Sequence, residues 1–254
     1  MFPEERQQRI TEALEREGRV GVGELARRFG VTEDCVRKDL RALVAQGRCR
    51  RVYGGATRLE PQVNRNVADR VGDRAAQKRS VAEKAVALVG DGVETVFVDV
   101  SSTGIVCAQL LVERRPDAAF TLVTNSVDVA RAAARGPHVH VVCPGGAFSP
   151  EYDGFVGAAA AEALGRLRFD LALMGTVGVD PKSGEVLCLD LDDAAVKRCV
   201  LARSGRRALL CDAEKLGHGG SVRYASLDDF DLLLCDDTGA ADVAAVRRAG
   251  VRVP

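Results

Sequence analysis

Six short apolar runs recur along the last two thirds of the chain, at residues 95–98, 122–123, 139–142, 171–174, 208–210 and 232–234. Ala-rich stretches of helical character lie between many of them, at 104–113, 127–135, 156–166, 192–203 and 240–249. Runs of this length are strands with both faces buried, and strands that alternate with helices close into a mainly parallel sheet. A helix carrying Val81, Ala85, Val86 and Val89 precedes the first run and stops at Gly90-Asp91-Gly92. This pattern predicts an α/β domain over residues 75–254. The polar stretch 59–74, with Pro61, Asn64, Asn66, Asp69 and Gly72, reads as a linker.

The first 58 residues have a different character. Residues 7–17 place Ile10, Ala13 and Leu14 on one helical face, and Gly18 ends that helix. Val20 and Val22 suit a short strand. Leu25, Ala26 and Phe29 mark a second helix, and Gly30 supplies a tight turn. A third helix then opens on Thr32, placed to accept a free N–H of the first turn, with Val36, Leu40 and Leu43 on its apolar side. Arg37, Lys38 and Arg41 fall on its other side, available for phosphates and base edges. Gly47 closes the helix. Arg48, Arg50, Arg51, Val52 and Tyr53 lead into a Gly54-Gly55 turn. Helix, strand, helix, turn, helix and hairpin is the order of a winged helix-turn-helix. The DNA-contacting candidates are Thr32, Arg37, Lys38, Arg41, Arg50, Arg51 and Tyr53.

Charge supports this division. Residues 1–58 hold 13 Lys and Arg against 9 Asp and Glu, whereas the remainder holds 23 against 27. A basic small module on an acidic large one suits a protein whose nucleic-acid surface is confined to the small module. No stretch approaches the ~18 apolar residues of a membrane span. The N-terminus is charged and lacks the apolar segment of a signal peptide, so a cytoplasmic protein without membrane partners is expected. The eight cysteines are scattered without a C-x-x-C pair, which argues against disulfides and against a redox switch. His138-x-His140-x-x-Cys143 alternates with valines and reads as a strand entering a turn rather than a metal site. No metal or cofactor is expected.

The N-terminal motif resembles that of the DeoR family of transcriptional regulators. Val31, Thr32, Val36, Arg37, Lys38, Asp39 and Leu40 match the family's recognition helix, and Arg51, Val52, Gly54, Gly55 and Ala56 match its wing. Cys35 stands where the family usually has Thr, replacing a hydroxyl by a weaker hydrogen-bond partner.

In parallel sheets, ligands bind beyond the carboxyl ends of the strands. Those ends are polar or glycine-rich here: Asp99 to Gly104, Thr124-Asn125-Ser126, Pro144-Gly145-Gly146, Gly175-Thr176-Val177-Gly178-Val179-Asp180 and Cys211-Asp212-Ala213-Glu214-Lys215. Hydroxyl residues Ser101, Ser102 and Thr103 at a helix N-terminus suit a phosphate. These landmarks, with Ala195-Val196-Lys197-Arg198, resemble the DeoR-family sensor domain, which is similar in fold to ribose-5-phosphate isomerase. The resemblance implies that residues 101–103 hold a phosphate, that Lys197 and Lys215 add charge, and that Asp99 or Asp180 meets sugar hydroxyls. Asn125, Ser126, Gly145, Gly146, Gly175, Thr176, Gly178 and Asp212 complete the candidate effector site. Ser101 replaces the glycine usual in the family's loop, which would strain the backbone if a positive φ were required there.

The expected function is a sequence-specific repressor of carbohydrate genes, released from a double-stranded DNA operator by a phosphorylated sugar. A dimer or tetramer is expected, because one winged helix reads too few base pairs for strong specificity. The alternative is a sugar-phosphate isomerase carrying a DNA-binding module. The loop where such an enzyme needs acids offers only Asp180, and Asp192-Asp193 reads as a helix cap, so no catalytic residue is assigned.

Overall fold

A computed structural model describes residues 3–17, 19–46, 48–52, 54–58, 67, 69–90, 92–237, 241–248 and 250–254. The chain forms two compact units, Met1–Asn64 and Arg65–Pro254.

In the first unit, α1 (Pro3–Glu17) is followed by β1 (Arg19–Gly21), α2 (Val22–Phe29), α3 (Glu33–Ala45), β2 (Cys49–Val52) and β3 (Gly55–Arg58). The three strands form an antiparallel sheet in the order β1-β3-β2. Ile10, Leu14, Leu25, Val36, Leu40 and Leu43 meet in one fully buried core. Val22, expected in the strand, instead opens α2, and its N–H donates to the Gly54 carbonyl. Gly30 adopts a left-handed φ of 64° at the end of α2, a conformation that costs glycine little. Gly18 and Gly47 lie outside the described residues.

The second unit is the expected α/β domain. Its elements are α4 (Ala75–Val86), β4 (Thr95–Val98), α5 (Ser102–Arg114), β5 (Phe120–Val123), α6 (Val127–Ala133), β6 (Val139–Val142), β7 (Ala147–Ser149), β8 (Gly154–Val156), α7 (Gly157–Gly165), β9 (Phe169–Gly175), β10 (Gly178–Val179), β11 (Glu185–Cys188), α8 (Leu191–Arg203), β12 (Ser204–Leu210), β13 (Val222–Ser226), β14 (Leu232–Leu234) and α9 (Ala241–Arg248). The six apolar runs become β4, β5, β6, β9, β12 and β14, all paired in parallel in the order β14-β12-β9-β4-β5-β6. Alternate strand residues feed two cores. Val96, Val98, Leu171 and Leu173 pack with α4, α5 and α6, whereas Phe97, Ala172 and Met174 pack with α7, α8 and α9. Helices therefore cover both faces, as a parallel sheet requires.

Two features differ from expectation. Residues 67–74 are not a free linker: Val67 is fully buried in the core beneath α4, and Asp69–Val71 forms a 3-10 turn packed against α5. The chain also forms a hairpin, β7-β8, and a small antiparallel sheet, β10-β11-β13. β13 of that sheet packs against α8.

Candidate functional site: a basic winged helix and a charged strand-end cluster

The sequence of α3 divides it into two faces. Val36, Leu40 and Leu43 are buried, while Arg37, Lys38 and Arg41 are exposed. Thr32 caps the helix, its hydroxyl accepting the Cys35 N–H at 3.3 Å. Arg37 is not free, contrary to expectation: it pairs with Glu33 at 2.7 Å and Asp34 at 3.0 Å on its own helix. Residues three and four apart on a helix are neighbours, which explains this capture. Arg51 reaches from β2 to donate to the Arg37 carbonyl at 3.4 Å, tying the wing to the helix. The backbone of Arg50 pairs with Thr57 in the wing ladder; its side chain, like Tyr53 as a whole, lies outside the described residues. Asp39, an acid within the basic stretch, turns inward. It accepts from Arg6 Nη2 at 3.2 Å and from Gln7 Nε2 at 3.3 Å, fastening α3 to α1. The same carboxylate raises the Arg6 pKa further above its ordinary value, against the opposing effect of burial.

In the second unit, the chain runs outward from β4 through β5 and β6, then returns to place β9 on the other side of β4. The switch point of the sheet lies between β4 and β9, where such folds leave a crevice. Asp99 sits there, fully buried, and its Oδ2 accepts the Gly175 N–H at 2.8 Å. Gly175 allows this approach: a Cβ there would fall 2.7 Å from that of Ser101. Lys197, buried on α8, donates to Asp99 Oδ2 and to the Gly175 carbonyl at 3.3 Å, and lies 3.6 Å from Asp193 Oδ1. Its ammonium stands 5.3 Å from the centre of the Tyr224 ring, and the Tyr224 hydroxyl donates to the Gly175 carbonyl at 2.8 Å.

These neighbours set the charges. Burial works against the Lys197 ammonium, but Asp193 and Asp99 outweigh it and hold the lysine charged beyond its ordinary range. One lysine faces two buried carboxylates. Burial pushes Asp193 up to about 7 against the pull of Lys197, and Asp99 and Asp190 push in the same direction. Burial and the nearby Asp99 and Asp193 keep the Tyr224 phenol protonated. Lys197 is therefore committed to a buried ion cluster and is not a free charge for a phosphate, contrary to expectation. A buried ammonium needs such partners.

The remaining candidates divide between ligand-facing and structural positions. Ser101 has extended backbone (φ −160°, ψ 152°) and caps α5 through the Gly104 N–H at 2.9 Å, so its replacement of a glycine causes no strain. Ser102 and Thr103 are buried in the first turn of α5. Asn125 is used within the fold, accepting from Val100 N–H and donating to the Phe155 carbonyl, both at 3.1 Å. Ser126 caps α6. Gly145 and Gly146 take positive φ after β6, and a Cβ on Gly146 would crowd the Ala160 backbone at 3.0 Å. The Thr176 hydroxyl lies within 2.8 Å of the Gly178 and Leu187 carbonyls, and Gly178 packs against the His218 carbonyl. Asp180 does not reach the rim. It closes its own turn between β10 and β11 by accepting from Lys182 N–H and Ser183 Oγ. Asp212 pairs with Arg74 at 2.7 Å and with Lys215 at 3.6 Å.

Two concavities, of about 370 and 730 Å³, lie around Arg223, Tyr224 and Asp229 and around Glu83 and Arg115. Several polar atoms near the strand ends retain unused hydrogen-bonding capacity. Asp99 Oδ1, Asp193 Oδ1, Asp212 Oδ2 and Arg70 Nε are buried without a hydrogen-bond partner. Asp193, Tyr224 and Arg70 are not among the residues assigned from sequence. Asp190, not Asp192 or Asp193, caps α8, and it also accepts the Tyr152 hydroxyl at 2.7 Å.

The two units together define a class: a winged-helix DNA-binding module followed by a parallel α/β sensor domain. Residues 6–62 match the DeoR-like helix-turn-helix domain, and residues 73–237 match the DeoR C-terminal sensor domain. The chain belongs to the DeoR family of transcriptional regulators. It is 30% identical over 258 residues to the HTH-type transcriptional regulator GlpR of Haloferax volcanii, covering 100% of this chain and 98% of that one. It is 29% identical over 253 residues to the putative aga operon transcriptional repressor of Escherichia coli O157:H7, covering 98% and 92%. The glycerol-3-phosphate regulon repressor of Escherichia coli K12 is 26% identical, covering 89% and 88%. The ribose 5-phosphate isomerase A structure of Methanocaldococcus jannaschii matches with a TM-score of 0.41 at 18% identity, covering 55% of this chain and 53% of that one. Among the described residues, no helix is long and apolar enough to cross a membrane.

Proposed function

We propose that this regulator is a cytoplasmic repressor of carbohydrate genes that leaves its operator when a phosphorylated sugar or polyol occupies the strand-end cluster of the sensor unit. The observation that carries this reading is the buried Oδ1 of Asp99, which has no partner, together with buried oxygens of Asp193 and Asp212 that accept no hydrogen bond and have only a lysine ammonium 3.6 Å away. A buried acceptor left without a donor costs about 1–3 kcal/mol, and ligand hydroxyls would supply donors. The N-terminus of α5, with Ser102 and Thr103, offers N–H groups for an anion beside them. Repressors of the aga operon and of the glycerol-3-phosphate regulon among the relatives agree with an effector of this class. On the DNA side, Lys38, Arg41 and Arg51 would meet the operator, with Arg37 freed from Glu33 and Asp34 on contact. Function as a homodimer or larger homo-oligomer would read paired half-sites.

A thermal-shift screen of phosphorylated and free sugars on the full chain, followed by gel shifts with any stabilising compound, tests the proposal. Stabilisation by a sugar or polyol phosphate together with release from DNA supports it. Stabilisation without release refutes the repressor switch. One observation favours isomerase chemistry as a second reading: a carboxyl held near neutral pH beside a lysine is the kind of pair that moves protons. Turnover of any sugar phosphate by the purified chain would establish it.

A further inference from the structure

Residues 67–74 come next after the stretch that follows the wing in the chain, and the sensor unit grips them at four points. Val67 is fully buried in the sheet's hydrophobic core. The 3-10 turn Asp69–Val71 packs on α5. Lys78, buried on α4, donates its ammonium to the carbonyls of Arg70 and Asp73. Arg74, in the left-handed region at φ 51°, pairs with Asp212 and Glu214, both at 2.7 Å. A left-handed non-glycine residue persists only where its surroundings hold it, and here two carboxylates do so.

Arg70 stands apart in this segment. Its Nε is buried and has no hydrogen-bond partner. The charges that act on its guanidinium are Asp193 and Asp73, with the Tyr152 hydroxyl beside them. Asp99 Oδ1 is buried without a partner, and Asp193 Oδ1 accepts no hydrogen bond and has Lys197 3.6 Å away. A buried guanidinium donor without a hydrogen bond thus shares the electrostatic surroundings of Asp193, and among the described residues no ion pair joins Arg70 to a carboxylate. A molecule with an anionic group at one end and hydroxyls at the other would satisfy both, because planar guanidinium groups bind phosphate and carboxylate oxygens in pairs.

We propose that Arg70 is the anion-contacting residue of the effector site and that, through it, ligand binding acts directly on the segment leading to the DNA-binding unit. This rests on the effector reading above and adds which residue meets the charge and which segment responds. The anion end engages Arg70, and the hydroxyl end donates to Asp193 and Asp99. Any shift of Arg70 towards the ligand is passed to the backbone that Lys78 and Arg74 otherwise fix. A ligand lacking the anion leaves Arg70 unengaged and does not operate the switch.

The test uses the full chain as wild type, Arg70→Lys and Arg70→Gln. Each is titrated calorimetrically with inorganic phosphate, glycerol 3-phosphate, hexose 6-phosphates and glycerol. Amide hydrogen exchange over residues 67–78 is followed with and without the tightest of these. Arg70→Gln should weaken the phosphorylated probe by about tenfold or more, the loss of a charged hydrogen bond. Arg70→Lys, which keeps the charge but not the fork, should fall between. Exchange over 67–78 should change on binding in wild type and not in Arg70→Gln. If Arg70→Gln does not fold, Arg70→Lys decides alone, and wild-type affinity in it overturns the proposal. A wild type that binds a phosphorylated probe, with equal binding by Arg70→Gln or unchanged exchange over 67–78, overturns this proposal and leaves the effector reading standing. A wild type that binds none of the probes overturns both.

Discussion

Asp193 should make the sensor unit lose stability as the pH rises towards neutrality, the reverse of the usual behaviour of a carboxylate. Its folded pKa of about 7 lies above the ordinary 3.8 that it recovers on unfolding. Between those two values the folded chain keeps a proton that the unfolded chain has released, so raising the pH favours unfolding. The loss runs through that window and stops above about pH 7. The groups that face Asp193 include Asp99, Asp190, Lys197, Tyr152, Tyr224, Cys188 and Arg70. Lys78, lowered to about 8 by burial, acts only above that value and in the opposite direction. From about pH 5.5 to about 7 the loss amounts to roughly 2 kcal/mol at 1.36 kcal/mol per unit. For a unit of this size that is a fall of about 4–8 °C in Tm. Calorimetric melts of wild type and Asp193→Asn at several pH values measure it. The Asn variant should lose this slope and match or exceed wild type near neutral pH. An identical slope in both proteins would refute the assignment of the proton to Asp193.

Three further outcomes are expected. Lys197→Met should destabilise the sensor unit by about 3–5 kcal/mol in urea melts, because it strands Asp99 without a counter-charge, and adding Asp99→Asn should restore much of the loss; full stability of the single variant would contradict the buried pair. In gel shifts at several salt concentrations, Lys38→Ala and Arg41→Ala should each flatten the salt slope by about one. Arg37→Ala should cost less, and Glu33→Gln with Asp34→Asn should tighten binding by releasing Arg37; no change in any of these would remove α3 from the DNA surface. Gly55→Ala should abolish operator binding while leaving sensor-unit melting intact, since its Cβ would lie 1.9 Å from the Val20 carbonyl and break the β1–β3 pairing. Retained binding would mean that the wing is dispensable.

The parallel sheet is legible in the sequence because each of its six strands is a short apolar run flanked by helical stretches. The sheet β10-β11-β13 is not, since β10 is two residues long and β11 alternates too briefly to register. Asp99, Gly175, Lys197 and Asp212 are legible as polar or glycine residues at strand ends or in a family motif. Asp193 is not, because an acid in the first turn of a helix reads as a cap, and only the fold shows that Asp190 takes that role. Tyr224 reaches the cluster from a strand of the small sheet, and Arg70 lies in a stretch whose polarity reads as a linker. The pairing of Arg37 with Glu33 is an i,i+4 signal present in the sequence that the basic face overshadows. Lys197, legible as a charge, turns out to be a buried counter-ion, so its removal tests folding rather than ligand binding.

The cysteines provide a ready optical handle. All eight are free, and only Cys35 and Cys143 are exposed. Burial pushes the thiols of Cys107 and Cys188 up to about 12 and that of Cys235 up to about 11, which withholds the thiolate that maleimides need. Burial also raises Cys143, whereas Cys35 lies at the start of α3, within the module that meets DNA. A fluorophore attached there under native conditions, with Cys143→Ser to clear the second position, would report operator occupancy directly as effector is added, on a chain carrying one substitution besides the label.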